Sequence, residues 1–115
     1  MAFGKRVRFE GLREVAFGGI GAAYAPLGTA TVDYTRILSI FNGTNKDIYI
    51  SLNGVTNHLR IGSGTGQVFD FTTNKVRDDG FFIPKGTTFF IRYEGAVAPT
   101  TGAAWIQVAY ADGGI

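Results

Sequence analysis

The chain has 115 residues, 45% of them hydrophobic and 17% charged, with a formal net charge of +2. That is the length of one domain with a single core, and it is too apolar to remain disordered. There is no cysteine, which excludes a disulfide framework, a zinc ribbon and thiol chemistry, and no apolar run approaches the ~20 residues of a membrane-spanning helix.

A soluble monomer usually carries ~25% charged residues, so the low charged fraction points to surface buried against another chain. The distribution of charge is more telling than its sum. Lys5, Arg6, Arg8 and Arg13 stand against Glu10 and Glu14 in the first fourteen residues, while the remaining basic and acidic residues balance. Electrostatic steering therefore falls to the N-terminal segment. Its opening residues, Met-Ala-Phe-Gly-Lys-Arg, lack the apolar core of a signal peptide, so folding in a cytoplasm is expected.

Residues 1–31 are irregular in texture. A basic stretch leads into Gly18-Gly-Ile-Gly-Ala-Ala-Tyr-Ala-Pro-Leu-Gly28, where small residues and a proline oppose a stable helix. An extended arm is predicted, with one short strand near Lys5–Phe9 or Glu14–Phe17. Such an arm needs its own sheet edge or a neighbour to hold it.

From Val32 onward the chain is regular, and 32–115 reads as a β-sandwich domain. Ile37–Asn42 is a central-strand candidate, and Asn42-Gly-Thr-Asn45 turns it into Ile48–Leu52. There Ile48, Ile50 and Leu52 share one face, and Tyr49 and Ser51 the other. Asn53-Gly54 is a strong hairpin signal. His58–Ile61, Val68–Phe71, Phe81–Ile83, Thr87–Tyr93 and Ala104–Ala111 complete the strand candidates, each closed by turn residues. The 17 glycines read as turn and bulge positions. Short strands about ten residues apart imply an all-β fold of two packed antiparallel sheets.

Little in the chain carries chemistry. His58 is the only histidine, with no partner pattern for a triad or a metal site, and reads as structural. Asp78-Asp79-Gly80 lacks the alternating acidic positions of a calcium loop and reads as a turn. Gly62-Ser-Gly-Thr-Gly66 lacks the downstream lysine and the helix of a phosphate-binding loop. Asn42-Gly43-Thr44 matches a glycosylation sequon, but the turn explains the same residues. A glycosidase pair built on Glu94 and the aspartates would need a larger cleft than this length provides. No enzyme activity, cofactor or metal is expected. Nucleic-acid binding is disfavoured, because the body is neutral and only Phe3 and Phe9 interleave with the basic stretch. Adjacent aromatics in a strand point to opposite faces, so one member each of Phe81-Phe82 and Phe89-Phe90 faces away from the core. Such residues suit a sheet buried on both sides, or a partner.

Four stretches carry a resemblance: Arg36-Ile-Leu-Ser-Ile-Phe-Asn42, Asn45-Lys-Asp-Ile-Tyr-Ile-Ser-Leu-Asn-Gly-Val-Thr-Asn-His58, Phe69-Asp-Phe-Thr-Thr-Asn-Lys75, and Phe81-Phe-Ile-Pro-Lys-Gly-Thr-Thr-Phe-Phe-Ile-Arg92. Together they resemble small structural proteins of tailed bacteriophages. The similarity runs from Arg36 to Tyr110 and leaves out the glycine-rich arm. These are strand and turn motifs, so they specify fold better than role.

The resemblance implies a jelly-roll-like β-sandwich on the virion exterior, assembled as a homo-oligomer such as a trimer. Its role there would be a capsid decoration or cement protein bridging neighbouring subunits of the major capsid protein. A specific contact needs ~1,000 Å² or more of buried surface, and an arm adding a strand to a neighbour's sheet would contribute. The segregated charge nominates Lys5, Arg6, Arg8 and Arg13 for electrostatic docking, with Phe3 and Phe9 as apolar anchors. The alternatives are a tail, collar or baseplate component, and a carbohydrate-binding module. The last requires Trp105 or several tyrosines on one flat face.

Overall fold

A computed structural model describes residues 6–70 and 83–112. Within them the chain forms strands β1 (Arg6–Phe9), β2 (Arg13–Ala16), β3 (Ala25–Pro26), β4 (Thr35–Asn42), β5 (Ile48–Ser51), β6 (Leu59–Ile61), β7 (Thr65–Asp70), β8 (Phe90–Tyr93) and β9 (Ala103–Asp112). A single 3-10 turn, Phe17–Gly19, is the only helical element among the described residues.

The strands build two antiparallel sheets. The larger runs β1-β9-β4-β7, with β2 also paired to β9, and the smaller runs β3-β8-β5-β6. Both β1 and β2 pair with β9 at successive positions along it, β1 with Ala109–Asp112 and β2 with Ala103–Ile106. They are one strand interrupted by Glu10-Gly11-Leu12. Counted so, consecutive strands change sheet at every step except β5 to β6, the order of two Greek keys, and the chain is a jelly-roll β-sandwich.

Alternation fixes which side chains meet between the sheets. On β4, Leu38, Ile40 and Asn42 point inward; on β9, Ala104, Ile106 and Val108; on β5, Ile48 and Ile50. Ile61, Phe89 and Ile91 close the core from the smaller sheet's side. Burying a side chain of this size is worth about 1.5–3 kcal/mol, so the core is the main source of stability. The strand candidates Ile37–Asn42, Ile48–Leu52, His58–Ile61, Val68–Phe71, Thr87–Tyr93 and Ala104–Ala111 each overlap a strand, but Leu52, His58 and Thr87–Phe89 lie outside those strands, and Ile83 makes only an isolated bridge to Thr35.

Three details depart from the sequence expectations. First, the boundary expected at residue 31/32 falls inside the folded unit. Residues 6–31 are extended, but they supply strands to both sheets, and Ile20 and Leu27 sit in the core. Second, β3 had no sequence signal. It is held by two register pairs to β8 and by the Leu27 N–H donating to the Phe89 carbonyl at 2.7 Å. Third, Asn53-Gly54 does not close a two-residue hairpin. It lies inside a longer loop between β5 and β6, where the Asn53 side-chain oxygen accepts from the Val55 and Thr56 N–H groups. His58 belongs to the same loop, its Nδ1 accepting from the Leu52 N–H at 3.0 Å.

Turn chemistry explains the other polar motifs. Asn42 is fully buried and spends its whole side chain. Its Nδ2 donates to the carbonyls of Lys46 and Ile61, and its Oδ1 accepts from the N–H and hydroxyl of Thr44. The N–H groups of the 62–66 turn go to Asp47 Oδ1, the Asn42 carbonyl and the Gly62 carbonyl, so this loop is not a phosphate cradle. Asp78-Asp79-Gly80 and Phe81-Phe82 lie outside the described residues.

Candidate functional site

The larger sheet turns its outer face away from the core, and the register shows what it carries. One row across the strands reads Glu14, Trp105, Phe41 and Gly66, and another reads Phe9, Ala109, Ile37 and Asp70, with Gln107, Ser39 and Val68 between them. The Phe41 and Trp105 rings stack at 4.8 Å between centroids and 26° between planes. Gly66 makes room for this, since a Cβ there would lie 2.9 Å from the Phe41 ring and 2.8 Å from the Ile40 carbonyl.

At the β1–β2 side of this face, Phe9, Glu10, Leu12 and Gln107 line a groove of ≈ 360 Å³. Phe9 is 69% exposed, Val68 67% and Leu12 55%. An isolated exposed apolar residue means little. Here a stacked aromatic pair, a phenylalanine, a leucine and a valine form an apolar patch along one sheet face.

The residues nominated from the sequence do not form one basic cluster. Phe3 and Lys5 lie outside the described residues. Arg6, Arg8 and Phe9 are on β1, where Arg8 and Phe9 point to opposite faces by strand alternation; Arg8 and Phe9 are both exposed. Phe9 lies on the outer face of the larger sheet.

Arg13 is a correction. It is 6% exposed, with its guanidinium turned inward. Its Nη2 meets Glu10 Oε1 at 2.8 Å, and it donates to the carbonyls of Thr29, Ala30 and Gly11. Glu10 in turn accepts the N–H groups of Val32 and Asp33 through Oε2, each at 3.0 Å. The pair clamps the β1–β2 kink onto the 29–33 segment, beneath a groove of ≈ 600 Å³ whose walls include Leu12, Val32 and Tyr110. Burial by itself pushes the Glu10 carboxyl up, but the Arg13 guanidinium and the two backbone N–H groups outweigh it and hold the pKa below the usual carboxylate value. Gly28 completes the fit, because at φ +78° its missing Cβ leaves space that Arg13 Cγ fills. The sequence signal for this pair was an acid and a base three residues apart, which on an interrupted strand says nothing about burial.

The smaller sheet's outer face is polar and aromatic. Arg92 on β8 lies over the rings of Tyr24 and Tyr49, 5.3 and 4.6 Å from their centroids. Arg60 on β6 bridges Glu94 at 2.8 Å and Asp47 at 2.7 Å. The Tyr49 hydroxyl donates to Glu94, and that bond pushes the phenol above its ordinary pKa. Among the described residues no group of three or more histidine, cysteine, aspartate or glutamate side chains gathers to hold a metal, and no helix is long and apolar enough to cross a membrane.

No protein-family model matches the chain, and no curated protein matches it significantly in sequence. Among solved structures it is similar to a chain of the Bacillus endospore appendages, described as a novel family of disulfide-linked pili. That match has 16% identity and a TM-score of 0.48, and covers 96% of this chain and 93% of the other. It is also similar to a chain of the capsid asymmetric unit of the cyanophage Pam1, with 14% identity and a TM-score of 0.48, covering 95% of this chain and 85% of the other. Likenesses at this level carry no functional argument, and the jelly-roll assignment stands on strand order and register.

Proposed function

We propose that the protein is a virion structural protein without catalytic activity. In this reading it is a capsid decoration or cement subunit that docks on neighbouring capsid subunits through the outer face of its larger sheet. The observation that supports this most directly is the set Phe9, Leu12, Phe41, Trp105 and Val68 on one face of an otherwise closed sandwich. The sequence resemblance to tailed-phage structural proteins and the low charged fraction point the same way.

At ~3.3 Å per residue along β9 and ~4.8 Å between strands, the face measures about 600 Å², somewhat below the ~800 Å² per partner of a standard interface. A neighbour contributing surface beyond the sheet itself would close that gap. Full burial of each exposed apolar side chain returns about 1.5–3 kcal/mol, so the whole set must be covered together to exceed the cost of association. The partner is accordingly a capsid subunit presenting an apolar surface, and electrostatics contributes to the approach more than to the grip.

The test combines light scattering on the isolated protein with co-sedimentation on stripped particles of the virus that encodes it. A saturable association with heads, weakened at least tenfold by Phe9→Asp or Val68→Asp, is expected. Association unaffected by both changes but lost on deleting residues 1–5 would overturn the apolar-face reading in favour of the basic segment. Binding to tails alone would move the protein to the tail, collar or baseplate. A stable oligomer in the absence of particles would establish that the copies assemble before docking.

A further inference from the structure

The smaller sheet carries a second constellation that the docking reading leaves unused. The register aligns Tyr49 with Arg92 on one side and with Arg60 on the other. Tyr24 immediately precedes Ala25, the partner of Ile91, and so continues the row beside Arg92. Ile48, Ile50, Ile61 and Ile91 fill the inner side of these strands, so Tyr24, Arg92, Tyr49 and Arg60 form one line across the outer face.

The two arginines of this line differ in charge balance. Arg60 is neutralised by two carboxylates, those of Glu94 and Asp47. Arg92 meets no carboxylate among the described residues. Its donors reach the Asn57 side-chain oxygen at 3.2 Å and the Tyr93 carbonyl at 3.4 Å, two acceptors for a group with five N–H donors. The tyrosine rings on either side fix the guanidinium through cation–π attraction. The Tyr24 hydroxyl also donates to Asn57, which ties the 52–58 loop to the same spot.

A held guanidinium with unspent donors is preorganised for a planar, bidentate carboxylate. Around it lie an amide, two phenols and two carboxylates, which offer donors and acceptors for hydroxyl groups but no apolar socket for a protein side chain. We propose that the Tyr24–Arg92–Tyr49 row binds carboxylated sugars, Arg92 taking the sugar carboxylate while Asn57 and the tyrosine edges contact the hydroxyl-bearing ring. A particle subunit with this site would hold its host-facing side against acidic surface polysaccharide while the opposite sheet grips the capsid.

The experiment titrates the full chain with a short oligomer of galacturonic acid, with the matching galactose oligomer, and with a glutamate-rich peptide. Calorimetry and the NMR shift of the Arg92 Nε–H are read up to about 10 mM ligand, where even a Kd of ~1 mM saturates. Saturable binding of the acidic sugar is expected, with the neutral sugar and the peptide each at least tenfold weaker. Arg92→Gln and Tyr24→Leu should each weaken it at least tenfold, while Val68→Asp on the opposite sheet leaves it unchanged. Thermal midpoints of all variants confirm folding. No saturable response to the acidic sugar, equal binding of the peptide, or unchanged binding by Arg92→Gln would each overturn the proposal.

Discussion

Replacing Glu10 with alanine is expected to destabilise the domain by about 3–5 kcal/mol, the cost of removing one partner from a buried ion pair. The magnitude follows from the surroundings. The Arg13 and Glu10 side chains are 5% and 8% exposed, so the guanidinium is left with the carbonyls of Thr29, Ala30 and Gly11 and only the water that enters from the groove above it. The Val32 and Asp33 N–H groups lose their acceptor in the same step. For a domain of this size 1 kcal/mol moves the midpoint by roughly 4 °C, giving a fall of roughly 12–20 °C in a circular-dichroism melt at pH 7. The sign with pH is also determined. The folded-state pKa of Glu10 lies below its ordinary value of 4.5, so the carboxylate's contribution is complete above that value. It disappears as pH falls through the lower, folded-state pKa. The gap between wild type and Glu10→Gln should therefore be wide at pH 7 and narrow progressively below about pH 4.5. A loss under ~1 kcal/mol for Glu10→Ala, the usual worth of an exposed pair, would refute the clamp. So would a wild-type-to-Gln gap that ignores pH.

Gly102→Ala should cost about 3 kcal/mol or more in urea unfolding, since at φ +88° a Cβ would sit 2.0 Å from the Gly43 carbonyl oxygen. Gly64→Ala, with φ +73° and nothing within 4 Å, should cost only the ~1–2 kcal/mol of left-handed backbone; equal losses at both sites would contradict the close approach of Gly43 and Gly102. Asn42→Leu removes the side-chain donor to the Ile61 carbonyl and the acceptor of the Thr44 N–H, while the Lys46 carbonyl keeps the Thr44 hydroxyl; a loss of about 2–4 kcal/mol is expected in the same assay. Phe9→Asp, at a side chain mostly in water, should stay within ~0.5 kcal/mol of wild type while particle binding falls, and a folding defect there would mean the residue is structural.

Much of the architecture was legible because apolar alternation is a direct record of burial. Ile48, Ile50 and Leu52 announce β5, and the β-branched and aromatic run after Arg36 announces β4. Where the record is short it fails: Ala25–Pro26 is too brief to alternate, and only Leu27 in the core betrays that the segment is packed. The site was harder to see. Arg8 and Arg13 look alike in sequence, and register puts both on the core-facing side of the larger sheet, opposite Tyr110 and Ile106; yet Arg8 is exposed while Arg13 is buried against Glu10 and the 29–33 segment. The sequence nominates Phe9 from its place in the basic segment, whereas Phe41, Trp105 and Val68 come from three other strands and meet it only through register. Tyr24, Tyr49, Arg60 and Arg92 are separated by up to dozens of residues, so no local motif could join them.

The position of β9 has a consequence for how the protein is made. It is synthesised after all the other described strands, yet β1, β2 and β4 all depend on it for pairing. Until Ala103–Asp112 is available, three earlier strands have unsatisfied edges and the larger sheet exists only as β4 with β7. Closing such long-range pairs is slow, and a nascent chain stalled before residue 103 would expose apolar strands ready to pair with other copies. A nonsense mutation just ahead of the codon for Ala103 should therefore yield aggregate, not a shortened but working subunit.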